Sequence, residues 1–222
     1  FQDAKYLVEK GADIIGTDLK KAEELPEAAL LAKQYKNLHL VLGEHRLEDF
    51  RNRDFIIRAA LAPLDSPYLA EARKNNIPVV SDETLFLKYA LKVLTIGVTG
   101  TRGKTTVTHM IYEIVKEAKG TQGSLVYLGG NVQGKSLLHL LDEVKEGDTI
   151  VMELDSWKLQ SFAENKVSPN IAVFTTFYRD HQNYYKNDPS RPESVRAGME
   201  RYWLDKSAIF INQKEGDALI VS

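Results

Sequence analysis

The stretch TIGVTGTRGKTTVTHM, from Thr95 to Met110, constrains the fold of this chain more than any other part of it. Its first residues are apolar and typical of a buried strand, and its last residues show helical spacing. Between them lies a turn that contains Gly100 and Gly103 and ends at Lys104. The backbone N–H groups of such a turn and the N-terminus of the following helix attract anions. We therefore predict a strand, a phosphate-binding turn and a helix, within an α/β fold.

Strand-like and helix-like segments alternate along the rest of the chain, which is typical of an α/β fold with parallel strands. We predict a Rossmann-like parallel-sheet domain over residues 1–91 and a second α/β domain over residues 92–222, which contains the glycine turn. In the second domain, the patterns predict a helix in KSLLHLLDEVKEG and strands in AIFIN and ALIVS. The first domain opens on a helix and the second stops within the alternation, so we expect a fragment that lacks its first strand.

Composition excludes several classes of function. The chain carries 29 basic and 31 acidic residues, and without a basic block we expect no nucleic-acid partner. It has no cysteine, which excludes disulfides, a cysteine nucleophile and thiolate metal sites and agrees with a cytoplasmic location. No apolar run approaches the roughly 18 residues of a membrane span. We expect a cytoplasmic monomer that acts on small molecules.

The glycine turn departs from the strict phosphate-loop pattern GxxxxGK(S/T), because the first glycine of that pattern would fall on Val98. A plain glycine-rich connection is the alternative interpretation. The compact TGTxGKT turn resembles the Mur ligase superfamily, the ATP-dependent amide ligases of cell-wall and folate chemistry, although that family usually has Asn where this chain has Arg102. The resemblance implies a P-loop in a central ATPase domain. The residues it implies for ATP are Gly100, Thr101, Arg102, Gly103, Lys104, Thr105 and Thr106, with the Thr105 hydroxyl on Mg²⁺.

Glu153 ends the apolar strand of DTIVMELDSWKLQSF. A carboxylate at the C-terminal end of a parallel strand, beside a phosphate loop, can hold Mg²⁺, whereas the alternative is an N-cap for the next helix. The string resembles the ELSSFQL signature of the D-glutamate-adding branch of the family. Asp155 and Lys158 replace the usual Ser and Gln, while Ser156 matches and is implied as a substrate contact.

Two further segments resemble motifs of the second metal site. In IAVFTTFYRDHQNYY, Asp180 and His181 follow a strand and match a DH motif, with Thr176 where the family has Asn. A surface or otherwise satisfied histidine is the alternative. In RYWLDKSAIFIN, the spacing of Tyr202 to Lys206 resembles the segment that holds a lysine carbamylated by carbon dioxide. The alternative for Lys206 is a cation at a helix C-terminus.

Substrate contacts are implied at two other turns. YLGGNVQGK resembles the GGNIG turn of the family, which implies that Asn131 faces the substrate, although Gln133 stands in place of the last glycine. Asp18 ends a strand, where Rossmann-like folds place an acid against a ribose or base. The resemblance implies that Asp18 contacts a uridine, and the SPG turn of the family is replaced within residues 58–61.

The resemblance implies an ADP-forming amide ligase of peptidoglycan precursor synthesis. The γ-phosphoryl group of ATP passes to the carboxylate of UDP-N-acetylmuramoyl-L-alanine, and the amine of D-glutamate attacks the acyl phosphate. Lys104, Glu153, His181 and Lys206 would be catalytic. Thr105, Glu153, His181 and carbamylated Lys206 would hold two Mg²⁺ ions. A missing C-terminal domain would carry the amino-acid site. Another amide ligase, such as a poly-γ-glutamate synthase, and a nucleotide-binding module without ligase activity are the alternatives.

Overall fold

The computed structural model describes residues 2–59, 62–90, 92–119, 123–131, 136–181, 183–185 and 192–222. The chain forms two compact units, Phe1–Asp82 and Glu83–Ser222. The sequence placed the division after residue 91, and the two assignments differ in the helix Asp82–Tyr89. Phe86 of that helix is buried in the core of the second unit, which is why it groups with the residues that follow it.

The first unit contains short helices and parallel strand pairs. Its helices are α1 (Gln2–Glu9), α2 (Pro26–Gln34) and α3 (Pro67–Lys74), with 3-10 turns at Ala22–Glu24 and Leu47–Phe50. Its strands are β1 (Ile14–Asp18), β2 (Leu38–Leu42), β3 (Ile56–Ile57) and β4 (Val79–Val80). Among the described residues, β1 pairs with β2 and β3 pairs with β4, both parallel, as two separate sheets. The parallel pairing agrees with the predicted strand direction, while the expected single sheet is divided in two.

The second unit is built on one parallel sheet of five strands in the order β6-β7-β5-β8-β9. The strands are β5 (Leu94–Thr99), β6 (Val126–Gly130), β7 (Thr149–Glu153), β8 (Ile171–Phe174) and β9 (Ala218–Val221). The helices are α4 (Asp82–Tyr89), α5 (Lys104–Lys119), α6 (Ser156–Asn165) and α7 (Pro192–Ser207). The predicted strand, turn and helix around Gly100 are therefore confirmed as β5 and α5, with β5 at the centre of the sheet.

Both faces of this sheet are covered, which explains the continuous apolar runs of its strands. On one face, Ile96, Val98, Val151 and Val173 pack against apolar side chains of α5. On the other face, a larger cluster contains Phe86 of α4 and Phe162 of α6. This packing fixes the strand ends, and the loops at those ends lie at the carboxyl edge of the sheet.

Two predicted elements of the second unit take other forms. Leu137–Asp142 is a 3-10 helix, where the sequence predicted an α-helix. The segment 208–212 is a run of hydrogen-bonded turns, where the sequence predicted a strand in AIFIN. Ala208 and Ile209 are fully buried in the larger apolar cluster, so their hydrophobicity serves core packing after α7 instead of sheet pairing.

Gly130 sits where no side chain fits. Its φ is +79°, and a Cβ at this position would lie 2.1 Å from the Glu153 carbonyl oxygen. We expect Gly130→Ala to lower the free energy of unfolding by about 3 kcal/mol, because backbone strain and overlap with a neighbouring strand add together. Urea unfolding of the variant measures this loss.

Gly216 provides the matched control for that measurement. Its φ is +95°, and a Cβ there would have no atom within 4 Å. Gly216→Ala should therefore lose only the strain of the left-handed backbone, about 1 kcal/mol. Equal losses in the two variants would show that the approach of Gly130 to Glu153 has no energetic consequence.

Candidate active site

The carboxyl edge of the five-stranded sheet brings three of the predicted sites onto neighbouring strand ends. In the register of the sheet, Glu153 of β7 pairs with Val98 of β5 on one side and with Gly130 of β6 on the other. The glycine turn follows β5, and Asn131 follows β6 and donates its backbone N–H to the Glu153 carbonyl at 2.8 Å. Parallel strands thus collect groups that are distant in sequence at one edge.

Gly100 and Gly103 give the turn its backbone shape. Their φ angles are +148° and +81°, and α5 begins at Lys104 directly afterwards. A Cβ on Gly100 would lie 2.0 Å from the Thr175 Oγ1 atom, so only glycine allows the turn to approach the end of β8 so closely. Glycine is thus required at Gly100 by steric contact and favoured at Gly103 by the left-handed backbone.

The carbonyl oxygens of residues 99–103 all accept hydrogen bonds from the protein itself. Thr175 donates from its N atom to the Thr99 oxygen at 2.9 Å and from its Oγ1 atom to the Arg102 oxygen at 2.6 Å. The Gly100 oxygen accepts from the Nζ atoms of Lys206 at 2.8 Å and Lys104 at 3.1 Å, and Lys104 Nζ also donates to the Thr101 oxygen at 3.4 Å. The Gly103 oxygen accepts from Val107 N at 2.9 Å. These bonds satisfy the carbonyl oxygens, which are the negative ends of the peptide dipoles, within the protein.

The amides of the turn divide into two groups. Thr101 N donates to the Thr176 carbonyl at 2.8 Å, and Arg102 N donates to the Thr176 Oγ1 atom at 2.9 Å. The next four amides, those of residues 103–106, meet no acceptor in the part of the chain that the structure describes. They lie at the N-terminus of a 16-residue helix, where the first N–H groups have no intrahelical partner and the helix dipole favours an anion. The arrangement fits a phosphate group.

Glu153 presents a carboxylate at the same edge. The residue is 5% exposed, and its side chain has no hydrogen bond or ion pair to any described residue. The alternative role of helix cap belongs to Asp155, whose Oδ1 atom accepts from Lys158 N at 2.9 Å at the start of α6. A nearly buried carboxylate with no protein partner, beside an anion site, fits a divalent cation.

Lys206 is the most deeply buried cation of the site. Its side chain on α7 is 1% exposed, and its Nζ atom donates to the Gly100 oxygen at 2.8 Å and to the Thr99 Oγ1 atom at 3.3 Å. Burial and then the charge of Lys104 lower the pKa of Lys206 to about 7. A large fraction of this amine is therefore neutral near pH 7, unlike an ordinary lysine.

His181 follows β8 and has a left-handed backbone, with φ of +51°. Its ring packs edge to face against Trp157 and Tyr202, at centroid distances of 4.6 and 5.8 Å. Burial lowers the pKa of His181 most, Asp180 opposes that shift, and Lys206 lowers the pKa further. A neutral imidazole is the form that can bind a metal ion.

The residues around this edge lie within the match to a known protein family. The Mur ligase middle domain matches residues 98–222, which is more than half of the chain. The chain belongs to the Mur ligase family. The matched range begins at the end of β5, just before the glycine turn, and it includes Lys104, Glu153, His181 and Lys206.

Several relatives are ligases of one kind. UDP-N-acetylmuramoylalanine--D-glutamate ligase of Borreliella burgdorferi strain ZS7 is 34% identical over 218 residues, which cover 98% of this chain and 43% of the relative. Proteins of the same name from Clostridium kluyveri and Roseiflexus sp. are each 32% identical, over 217 and 219 residues. The chain spans 43% of the length of these relatives. A solved pseudomurein peptide ligase type C from Methanothermus fervidus aligns at 20% identity over 98% of this chain and 41% of its own, with a TM-score of 0.37.

The remaining predicted residues of this Mur ligase chain have varied surroundings. Ser156, the first residue of α6, is buried, whereas Asn131 is exposed. Asp18 belongs to the first unit, where it ends β1 and accepts a hydrogen bond from Lys20 N at 2.8 Å. Lys158, which departs from the family signature, forms a nearly buried ion pair with Glu83. Within the described residues, no three side chains of His, Cys, Asp or Glu group closely enough to hold a metal ion, so the metal sets stay predictions.

The sequence predicted no role for Thr175, and it indicated Thr176 only as a departure from the Mur ligase motif. Both contact the glycine turn from the end of β8. The available signal was their position, because two hydroxyl residues directly follow an apolar strand. The sequence does not state that β8 lies next to β5, and that neighbourhood is what brings them to the turn. No helix among the described residues is long and apolar enough to cross a bilayer.

Proposed function

We propose that this chain binds ATP in a P-loop at the carboxyl edge of the five-stranded sheet and takes part in forming an amide bond. The single observation that carries the proposal is the division of polar groups in the turn, where every carbonyl has an internal donor while four amides meet no acceptor among the described residues. Membership of the Mur ligase family and the similarity to the D-glutamate ligases support it. The proposed reaction adds D-glutamate to UDP-N-acetylmuramoyl-L-alanine, in the cytoplasm, by a monomer.

The residues of the turn would bind the β- and γ-phosphates of ATP. The amides of residues 103–106 would donate to phosphate oxygens, and the α5 dipole would add a partial positive charge. Lys104, which now donates to turn carbonyls at 3.1 and 3.4 Å, would redirect its Nζ atom to the outer phosphates. Fixed donors of this kind stabilise the charge that phosphoryl transfer spreads over the equatorial oxygens.

Thr105 and Glu153 would hold one Mg²⁺ ion, and His181 with modified Lys206 would hold a second. When bound, the ions neutralise phosphate charge and polarise the acceptor carboxylate. An unmodified amine, bonded to the Gly100 carbonyl and the Thr99 hydroxyl, does not serve as a ligand to magnesium, which prefers oxygen donors. The neutral Lys206 nitrogen would attack the carbon of carbon dioxide and lose one proton to solvent. The resulting carbamate keeps one N–H, enough to retain the bond to the Gly100 oxygen.

The acceptor would enter with its carboxylate towards this edge. A carboxylate oxygen attacks the γ-phosphorus and ADP leaves, which gives an acyl phosphate. The amine of the amino acid then attacks the carbonyl carbon, loses a proton and expels phosphate. Asn131 donates its backbone N–H to the Glu153 carbonyl, and Ser156 begins the helix that follows Glu153; both are the proposed substrate contacts. In a Rossmann-like first domain, Asp18 would contact the uridine.

Phosphate release tests the proposal. The full-length gene product that contains this chain is supplied with ATP, Mg²⁺ and UDP-N-acetylmuramoyl-L-alanine, with and without D-glutamate, beside a panel of other amino acids. We expect release only when D-glutamate is present. Release with another amino acid alone would identify a different amide ligase of the family. ATP binding without phosphate release, whatever the amino acid, would contradict UDP-N-acetylmuramoyl-L-alanine as the acceptor. The same assay with other carboxylate acceptors would then separate a different amide ligase from a nucleotide-binding module.

A further inference from the structure

Thr176 engages both backbone polar groups of one residue in the glycine turn. Its Oγ1 atom accepts a hydrogen bond from Arg102 N at 2.9 Å and donates to the Arg102 oxygen at 3.2 Å. A hydroxyl can do both, because it has one O–H and two lone pairs. The Thr176 carbonyl also accepts from Thr101 N at 2.8 Å. One residue at the end of β8 therefore holds two consecutive amides of the turn.

The two bonds of the Thr176 hydroxyl are not equivalent. The Arg102 oxygen has a second donor, because the Thr175 Oγ1 atom bonds to it at 2.6 Å. Among the described residues, Arg102 N has only the Thr176 hydroxyl as its acceptor. Loss of that hydroxyl would therefore leave the amide side of Arg102 without a protein partner, directly before the amides of residues 103–106.

We propose that Thr176 is a positioning residue for the phosphates of the nucleotide, and that it acts through the backbone of Arg102. It fixes the peptide that precedes Gly103, so that the unoccupied amides at the start of α5 face one ligand. The effect on nucleotide binding rests on the proposed function, whereas the hydrogen bond itself does not.

The same geometry explains a departure from the family pattern. The Mur ligase motif has Asn where this chain has Thr176. An asparagine amide also offers one acceptor and two donor hydrogens from a short side chain. Thr and Asn can therefore meet the same two backbone groups, whereas Val, which has the shape of Thr, can meet neither. A change between Asn and Thr at this position can therefore keep the contact.

Amide exchange in the ligand-free 222-residue chain tests the hydrogen bond. We expect the Arg102 amide to exchange about tenfold faster in Thr176→Val than in the wild type, and at a near wild-type rate in Thr176→Ser and Thr176→Asn. Thr95→Val is the matched control. It removes a buried hydroxyl that bonds to Asn170 at the opposite end of β5. It should leave the Arg102 rate unchanged, and a Thr176→Val rate equal to that of the wild type overturns the proposal.

Titration calorimetry with ATP and Mg²⁺ tests the positioning role. Thr176→Val should bind ATP roughly five to ten times more weakly, while Thr176→Ser, Thr176→Asn and Thr95→Val stay within twofold of the wild type. Wild-type affinity in Thr176→Val, or equal weakening in Thr176→Ser, overturns the role of the hydroxyl. If Thr176→Val does not fold, Thr176→Asn decides, since weakened binding there contradicts the proposal. A wild-type chain without ATP affinity overturns the proposed function instead.

Discussion

Lys104→Met should lower phosphate release by roughly a hundredfold to a thousandfold, the loss expected when a fixed charged donor is removed from a phosphoryl-transfer site. Methionine keeps an unbranched, mostly aliphatic side chain and removes the charge together with the hydrogen-bond donors. The Lys104 Nζ atom lies within the turn, 3.1 Å from the Gly100 oxygen, beside the amides that are free for a ligand. Most of the loss should appear in the affinity for ATP and in kcat, with the KM for the acceptor unchanged. Steady-state phosphate release at varied ATP measures both.

Lys116→Met is the control on the same helix. Lys116 lies in the last turn of α5, exposed, with its Nζ atom 5.2 Å from the centre of the Tyr112 ring. Twelve residues of helix separate it from Lys104, a distance of about 18 Å. Phosphate release should stay within twofold of the wild type in this variant. A Lys104→Met enzyme that retains more than a tenth of the activity would remove Lys104 from the catalytic machinery.

The parts of the site that follow from local sequence were predictable. An apolar strand, a glycine turn and a helix occur within 16 residues, from Thr95 to Met110, and short-range periodicity is enough to place them. Glu153 was predictable for a similar reason, because it ends an apolar strand. Helix capping was the alternative role for Glu153 in the sequence, and the structure gives that role to Asp155.

Groups that depend on the order of strands were not predictable in the same way. Thr175 and Thr176 reach the turn only because β8 is the neighbour of β5 in the sheet. Sequence spacing does not state which strands are adjacent. The predicted strand in segment 208–212 was wrong for a related reason. An apolar run after a helix can pair as a strand or pack as a buried turn, and here its residues pack into the larger apolar cluster.

In the first unit, short apolar segments do not define the length of a strand. The apolar stretch FIIRAALA would suit a longer strand, and among its described residues Ile56 and Ile57 form β3, paired with the two residues of β4. A two-residue ladder has few hydrogen bonds and no clear alternation of burial, so periodicity gives it little support. Asp18 was placed correctly at the end of β1, because that strand is longer and pairs with β2 over five residues.

The buried amine of Lys206 should make stability depend on pH. Its pKa is about 7 in the folded chain and 10.5 in an ordinary lysine, so between these values the unfolded chain binds more protons. The free energy of unfolding of the wild type should therefore rise with pH, by about 4 kcal/mol between pH 7 and 10 relative to Lys206→Met, which has no proton to bind. Denaturant unfolding in buffers free of carbon dioxide measures the difference, with Lys116→Met as the exposed control. A constant difference between the wild type and Lys206→Met would mean that Lys206 stays charged when buried, and a charged amine cannot form the carbamate.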